Sequence, residues 1–157
     1  MRLIGVEPIT FGTEIRRSIQ LSYKRVIIYS KMIQTETILT IVDNSGAKNA
    51  RCVSVLPGFK RRYAYIGDTI ISVIKTIKSK RKSISKVKKG ELFHLVIIRT
   101  RFKKRIKDGS SLNFNVNAGV LVNKQDKLIA SRVLGPVTKA LKKSKHMKIV
   151  SLSGGFV

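Results

Sequence analysis

The chain has 157 residues, and 43% of them are hydrophobic, so it can bury one core and is longer than the smallest barrels require. Its 33 Lys and Arg residues outnumber 8 Asp and Glu residues, and the resulting net charge of +25 favours a polyanionic partner, nucleic acid above all. An anionic membrane is disfavoured because no uninterrupted run of about 18 apolar residues occurs, and the single cysteine, Cys52, excludes an intrachain disulfide and a thiolate metal cage.

Residues 1–31 form a basic segment that superficially resembles a mitochondrial transit peptide. Because the segment is still present, we expect a retained, lineage-specific basic extension, which also fits synthesis inside the organelle. A basic arm without a specific role is the alternative. The abundance of lysine and isoleucine is typical of an AT-rich genome. We therefore expect a protein of the mitochondrial matrix, with a plastid or a bacterial cytoplasm as the alternatives.

From Met32 onward, short apolar runs are separated by turn residues about every ten positions. Strands at this spacing predict a small closed β-barrel or a sandwich. Closure would remove the exposed edges that so hydrophobic a sheet would otherwise present. Residues 32–157 are therefore expected to form one mainly β domain. The predicted strands occupy 38–42, 52–56, 69–74, 93–100 and 118–123.

The 55–68 stretch, VLPGFKRRYAYIGD, collects cations and aromatic rings between turn residues. A reverse turn at Pro57 and Gly58 is expected to project Phe59 and the residues after it from the end of a strand. Cations there would bind phosphates, and flat rings would stack on bases or riboses. The alternative is a solvated loop with Phe59 or Tyr63 tucked into the barrel mouth. The RNA-binding candidates of this stretch are Lys60, Arg61, Arg62 and Tyr63.

Two strongly basic segments, 75–90 and 99–110, interrupt the predicted strands. If each is a hairpin, its alternating side chains direct cations from both faces into solvent or onto RNA. After Val137 the pattern changes to one helical turn around Ala140 and Leu141, with Thr138 as its cap. The candidate RNA-binding cations of the two segments are Lys75, Lys78, Lys80, Arg81, Lys82, Lys86, Lys88, Lys89, Arg99, Arg101, Lys103, Lys104 and Arg105.

The inventory of reactive residues does not support an enzyme. Neither His94 nor His146 has a Cys, Asp or Glu at metal-ligand or triad spacing, and no glycine-rich phosphate-binding loop occurs. We interpret His94 as a barrel-wall residue and Cys52 as a small core residue. The DNSGAK motif at 43–48 predicts a tight turn rather than a catalytic Asp and Ser, because short polar side chains bond their own backbone. No metal or cofactor is expected.

The motifs from Met32 onward resemble those of the universal large-subunit ribosomal protein L-fourteen family. They occur in family order and at family spacing, which makes the set specific although each motif alone is weak. The motifs are MIQTET (32–37), DNSGAK (43–48), KRRYA (60–64), IGD (66–68), KVKKGE (86–91), VIIRT (96–100), DGS (108–110), FNVNAGVLVN (114–123), SRVLGPV (131–137) and MKIVSL (147–152).

The resemblance implies a closed five-stranded β-barrel with a protruding basic hairpin and a small C-terminal helical part. It implies binding to large-subunit rRNA beside ribosomal proteins L-three and L-nineteen, with bridges to small-subunit rRNA. Lys48 of the DNSGAK motif joins the rRNA-binding candidates. Ser131, Arg132 and Lys148 lie toward the intersubunit face in the family. The ribosome-silencing factor of bacteria and organelles docks on that face, so it is a candidate partner.

The chain departs from the family pattern at three places. Pro57 replaces a usual glycine and should stiffen the turn that carries Phe59. The segment around 79–85 is longer than common forms, so the hairpin should reach further into RNA. The tail 153–157, SGGFV, replaces the usual acidic tail, which leaves the family's last short helix in question. Residues 1–31 have no family counterpart.

Two other functions compete with a structural ribosomal protein. A free RNA chaperone or RNA-binding regulator would use the same basic barrel surface away from the ribosome. An RNA-modifying enzyme would need a catalytic group of residues that we do not find in the sequence.

Overall fold

The computed structural model describes residues 32–56, 58–78, 86–105, 109–143, 145–155 and 157. The barrel strands are β1 (Ile38–Ile41), β2 (Ala47–Val55), β3 (Thr69–Ile77), β4 (Leu92–Arg99) and β7 (Ala118–Val122). The other elements are β5 (Lys104–Arg105), β6 (Ser111–Leu112), a 3-10 helix, η1 (Lys139–Lys143), and a short α-helix, α1 (Met147–Ser151).

The five long strands close into a barrel in the order β1, β2, β3, β4, β7. β1 meets β7 in parallel, with Thr40 opposite Ala118 and Ile41 opposite Gly119. The other barrel pairs are antiparallel. β5 and β6 pair with each other in a separate two-stranded sheet. The predicted fold class, a mainly β protein with a small closed five-stranded barrel, is confirmed.

The five predicted apolar runs coincide with the five barrel strands, and the largest difference is at β2. This strand begins at Ala47 rather than Cys52. Its first half alternates buried Ala47, Ala50 and Cys52 with polar residues on the outer surface, and its register with β3 shifts near Asn49. Short side chains and a bulge therefore concealed the strand pattern in the sequence.

Two hydrophobic clusters hold the domain together. The first fills the barrel interior and includes Leu39, Ile70 and Leu95. The second lies outside β4 and β7, where Val96 and Val120 pack against the C-terminal segment. Strands β4 and β7 are therefore covered on both faces, which explains their continuous apolar sequences. The covering residues of the second cluster include Val133, Val137, Leu141 and Ile149.

The C-terminal helical part is present, but Thr138 does not cap it. The first helical turn is η1, which begins at Lys139, and the buried hydroxyl of Thr138 has no hydrogen-bond partner among the described residues. The residue before α1 is His146, which makes no side-chain capping bond. Beyond α1, the described tail residues pair with the preceding loop: Val157 N donates to Val137 O at 2.9 Å. The predicted cap at Thr138 was wrong because its side chain points into the core.

The two basic segments are described in part. The second forms the β5–β6 hairpin, with Lys104 opposite Leu112, while residues 106–108 lie outside the described residues. In the first, β3 continues to Ile77. The longer tip expected at 79–85, with its candidate cations Lys80, Arg81 and Lys82, lies outside the described residues, as do residues 1–31 and Pro57.

Candidate nucleic-acid interface

The DNSGAK turn holds the first basic segment at two points, Lys78 and Lys86. Backbone N–H groups of Lys78 and Lys86 donate to the carbonyls of Gly46 and Ser45, at 2.9 and 3.1 Å. The Asp43 carboxylate holds the turn from inside, because it accepts from the N–H and the hydroxyl of Ser45. Gly46 adopts a positive φ of 99°, which glycine permits at no steric cost. The turn interpretation is confirmed.

Four candidate cations lie at this end of the barrel. The ladder places Ala47 opposite Ile77 and Asn49 opposite Thr76, so Lys48 and Lys75 lie on adjacent strands near the same end. Both are exposed. The ammonium groups of Lys78 and Lys86 donate to the carbonyl oxygens of Asp43 and Ile129, at 3.4 and 3.3 Å. The base of the basic segment therefore carries a group of cations on rigid backbone.

Phe59 occupies the tip of the 58–68 loop. The backbone turns sharply there, with positive φ angles of 97° at Gly58 and 56° at Lys60. The Phe59 side chain is 92% exposed, and the Lys60 ammonium lies 5.4 Å from the centre of its ring. Phe59 is thus displayed outside the barrel mouth. An exposed ring beside an ammonium group is suited to stacking on a base and pairing with a phosphate.

Arg61 holds this loop in shape rather than extending from it. Its guanidinium lies 2.6 Å from an Asp68 carboxylate oxygen and donates from Nε to the carbonyl of Tyr63 at 3.0 Å. The same Asp68 oxygen accepts from the N–H of Tyr65 at 2.7 Å, and the guanidinium lies over the Tyr65 ring. Tyr63 is half-buried, whereas Lys60 and Arg62 are exposed. Arg61 is exposed as well, but its charge is paired with Asp68, so Lys60 and Arg62 are the more available cations of the loop.

Arg99 requires a correction. We predicted it to bind RNA, but it is only 9% exposed. Its Nε donates to the carbonyl of Pro136 at 2.7 Å, and its Nη2 donates to that of Leu134 at 2.5 Å. Burial lowers the pKa of this guanidinium from its ordinary value. Arg99 therefore connects β4 to the 131–137 loop, and its guanidinium is directed to backbone carbonyls rather than presented on the surface.

The other predicted RNA-binding cations whose side chains are described lie on the surface. Arg101 follows β4, and its backbone N–H donates to the side-chain oxygen of Asn117 at 2.8 Å. Lys104 and Arg105 belong to the backbone of β5. The exposed members of this set are Lys86, Lys88, Lys89, Arg101 and Lys103.

The three residues predicted for the intersubunit face are exposed on two adjoining segments. Ser131 and Arg132 precede Val133, whose N–H donates to the carbonyl of Leu152 at 3.2 Å. The N–H of Leu152 in turn donates to the carbonyl of Lys148 at 3.2 Å. The 131–137 loop therefore lies against the end of α1, and Arg132 and Lys148 are exposed on these two adjoining segments.

The cysteine and the two histidines, the side chains most suited to catalysis, are buried or half-buried in the fold. Cys52 is buried, and burial together with the charge of Glu36 raises the pKa of its thiol to about 11. His94 is a half-buried residue of β4. His146 is buried with Nε2 3.4 Å from the Thr69 hydroxyl, and burial lowers its pKa. Among the described residues, no group of three His, Cys, Asp or Glu side chains could hold a metal ion.

Within the same residues, no helix is long and apolar enough to cross a membrane.

A family model described as "Ribosomal protein L14p/L23e" matches residues 32–157, which is the whole barrel domain with its C-terminal helices. The chain belongs to this family. Its members are structural proteins of the large ribosomal subunit, so the match confirms the resemblance carried by the DNSGAK and SRVLGPV motifs. Ribosome association and a role in translation follow from this membership.

Proposed function

We propose that this protein is a structural constituent of the large ribosomal subunit that binds large-subunit rRNA and contributes to bridges with small-subunit rRNA. The observation that carries the proposal is the tip of the 58–68 loop. Phe59 is almost fully exposed beside Lys60, on a loop held by the Arg61–Asp68 ion pair. A preorganised ring and cation on a rigid barrel bind RNA at little ordering cost.

Binding would rest on electrostatics and on the rigidity of the barrel. Exposed cations on the loop, at the base of the first basic segment and beyond β4 would release counterions from rRNA phosphates. If about eight phosphates are neutralised, log affinity should fall with log salt with a slope of about −7. The barrel would then fix the position of the surface around Ser131, Arg132 and Lys148, which we assign to the intersubunit face.

The partners follow from the same proposal. We propose that ribosomal proteins L-three and L-nineteen lie beside this protein, and that a ribosome-silencing factor is a regulatory partner at the intersubunit face. The abundance of lysine and isoleucine, typical of an AT-rich genome, and the basic residues 1–31 support a mitochondrial ribosome. In this proposal, residues 1–31 are a lineage-specific extension to the family domain at 32–157.

Sedimentation distinguishes this function from that of a free RNA chaperone or regulator. The tagged full-length chain is followed through a sucrose gradient of lysate from fractionated mitochondria at moderate salt. We expect it to travel with mitochondrial large subunits. A chain that remains near the top of the gradient would favour the free RNA-binding protein. A chain that is found outside the mitochondrial fraction, with the ribosomes of another compartment, would overturn the mitochondrial assignment only.

A further inference from the structure

The outer wall of the barrel carries an apolar row that the proposed RNA contacts do not use. Ile38 of β1 lies opposite Arg51 of β2, Arg51 lies opposite Val73 of β3, and Val73 lies opposite Leu92 of β4. Residues directly opposite one another on neighbouring strands share a face. These four side chains therefore form one line across four strands, which we call the outer row.

The outer row presents large apolar side chains to solvent. Ile38 is 62% exposed and Leu92 is 64% exposed, and Val53, two residues beyond Arg51 on β2, is 46% exposed. All four strands are paired on both sides in the closed barrel. A partner therefore cannot add a strand here and has to bind through side chains.

The charge on Arg51 does not make this row a phosphate site. Its Nη1 lies 2.7 Å from a carboxylate oxygen of Glu36, so the charge is paired and the aliphatic stem continues the apolar line. Among the described residues, exposed cations adjoin the row in sequence at Lys75, two residues after Val73, and at Lys89, in the turn before β4.

Carboxylates border the row at both ends, which is unusual in a chain of net charge +25. Glu36 lies at the β1 end and Glu91 immediately precedes Leu92, and both are exposed. The Glu91 carboxylate accepts from the N–H of Lys88 at 2.9 Å, which fixes it beside the strand. The other described acids include Asp43, which is buried, and Asp68, which is paired with Arg61.

We propose that the outer row is the docking surface for a basic protein. Apolar side chains of the partner would cover Ile38, Val73 and Leu92, and its flanking lysines or arginines would pair with Glu36 and Glu91. RNA fits this face less well because the bordering carboxylates repel phosphates and the row itself offers no unpaired cation. The inference rests on the proposed function, since the assembled large subunit is where such a neighbour would be met.

Site-specific photo-cross-linking in assembled subunits tests the proposal. A photo-activatable phenylalanine analogue replaces Leu92 or Val53 in the full-length chain, and large subunits that contain it are irradiated and treated with ribonuclease. We expect both positions to cross-link to one protein, through peptides in which apolar residues adjoin Lys or Arg. The same analogue at Phe59 is the control and should cross-link to rRNA.

Four other cross-links at Leu92 and Val53 would overturn the proposal: to rRNA, to a second copy of this chain, to another part of the same chain, or to a peptide without cations. The absence of any cross-link at these positions would overturn it as well. In each of these cases the chain would still be in the large subunit, so the proposed function would stand. A chain missing from large subunits would overturn the proposed function and the docking surface together.

Charge removal tests the basic character of the partner. The double variant Glu36→Gln and Glu91→Gln keeps oxygen acceptors for Arg51 and for the Lys88 N–H but removes both charges. We expect the cross-link yield at Leu92 to fall about fivefold, which corresponds to about 1 kcal/mol. Asp126→Asn, at an exposed acid beyond β7, is the matched control and should leave the yield unchanged. Equal cross-link yields in the two variants would contradict the proposal that the partner is basic.

Discussion

A Cβ atom on Gly135 would lie 2.6 Å from Nη2 of Arg99. The guanidinium of Arg99 passes directly beneath this glycine to reach the carbonyls of Leu134 and Pro136. Gly135 also adopts a positive φ of 79°. One buried side chain of β4 therefore sets the path of the 131–137 loop, and with it the position of Arg132 at the surface.

Gly135→Ala should destabilise the domain and disturb this loop. An L-residue at that positive φ costs about 1–2 kcal/mol, and displacement of Arg99 adds the cost of its lost hydrogen bonds. Urea unfolding of the full-length chain measures the loss. Gly154→Ala is the control, because a Cβ there meets nothing within 4 Å and the backbone does not have a positive φ. Equal stability of the two variants would show that Arg99 does not hold the loop.

Asp43→Ala should lower the free energy of unfolding by more than a substitution at an ordinary turn residue does. One carboxylate oxygen accepts from the N–H of Ser45 and the other from the N–H of Leu121 in β7, both at 2.9 Å. The substitution leaves these buried donors unpaired at about 1–3 kcal/mol each. Asp43→Asn should fall between Ala and the native chain because it keeps one acceptor. Ser45→Ala, which removes only the hydroxyl, should cost least in the same unfolding measurement.

These two residues mark the limit of what the sequence predicts. The turn at Asp43 was predictable because its bonds to Ser45 are local, whereas its bond to Leu121 joins residues 78 apart in the chain. Arg99 was assigned to RNA because it begins a basic segment. Its position at the end of the apolar run LVIIR was a signal that it belongs to the buried strand, but its carbonyl partners lie in a loop that only the tertiary fold brings near.

The strands were predictable for a different reason. β-Branched runs between turn residues are a local signal, and they located four of the five barrel strands to within a few residues and the fifth, β2, only in its second half. The local sequence pattern does not show which loop side chains are free to bind RNA, because that depends on the contacts each side chain makes in the folded loop. Arg61 and Arg62 are neighbours of the same type, yet only Arg61 reaches Asp68.

Cys52 should be unreactive in the folded chain and should make stability depend on alkaline pH. Burial raises the pKa of its thiol from the usual 9.0 to about 11. Because the folded pKa is the higher one, its contribution to stability is complete below pH 9.0 and is lost as the pH rises toward about 11. Alkylation by iodoacetamide at pH 9, followed by mass spectrometry, should be slow in the native chain and fast in urea. Rapid native alkylation would contradict the burial, and Cys52→Ala should flatten the alkaline loss of stability.

Arg132→Glu should weaken subunit joining more than large-subunit assembly. The side chain is exposed on the loop that Arg99 supports, while the barrel core lies elsewhere. Sedimentation at graded magnesium concentrations separates joined ribosomes from free large subunits. Lys124→Glu, a charge reversal in the turn after β7, is the matched control. An equal loss of assembly and joining in Arg132→Glu would contradict the assignment to the intersubunit face.

Neutral substitutions in the 58–68 loop should separate RNA contact from loop support. Lys60→Gln and Arg62→Gln should each reduce the salt slope of RNA affinity by about 1, without loss of stability, because both side chains are exposed. Arg61→Gln should instead lower the midpoint of urea unfolding, because it removes the ion pair with Asp68, worth up to about 1 kcal/mol at a partly exposed site.

The same loop offers a test in the ribosome. Replacement of Lys60, Arg61 and Arg62 together by Glu should block incorporation into large subunits, because it places three negative charges where phosphates are expected. Phe59→Ala should weaken incorporation by a smaller amount, since base stacking contributes about 1–3 kcal/mol. The variant Phe59→Tyr, which keeps a ring, is its control. Normal incorporation of the triple variant would mean that the loop faces solvent or protein, and the rRNA contacts would then have to come from the cations around Lys48 and Lys75.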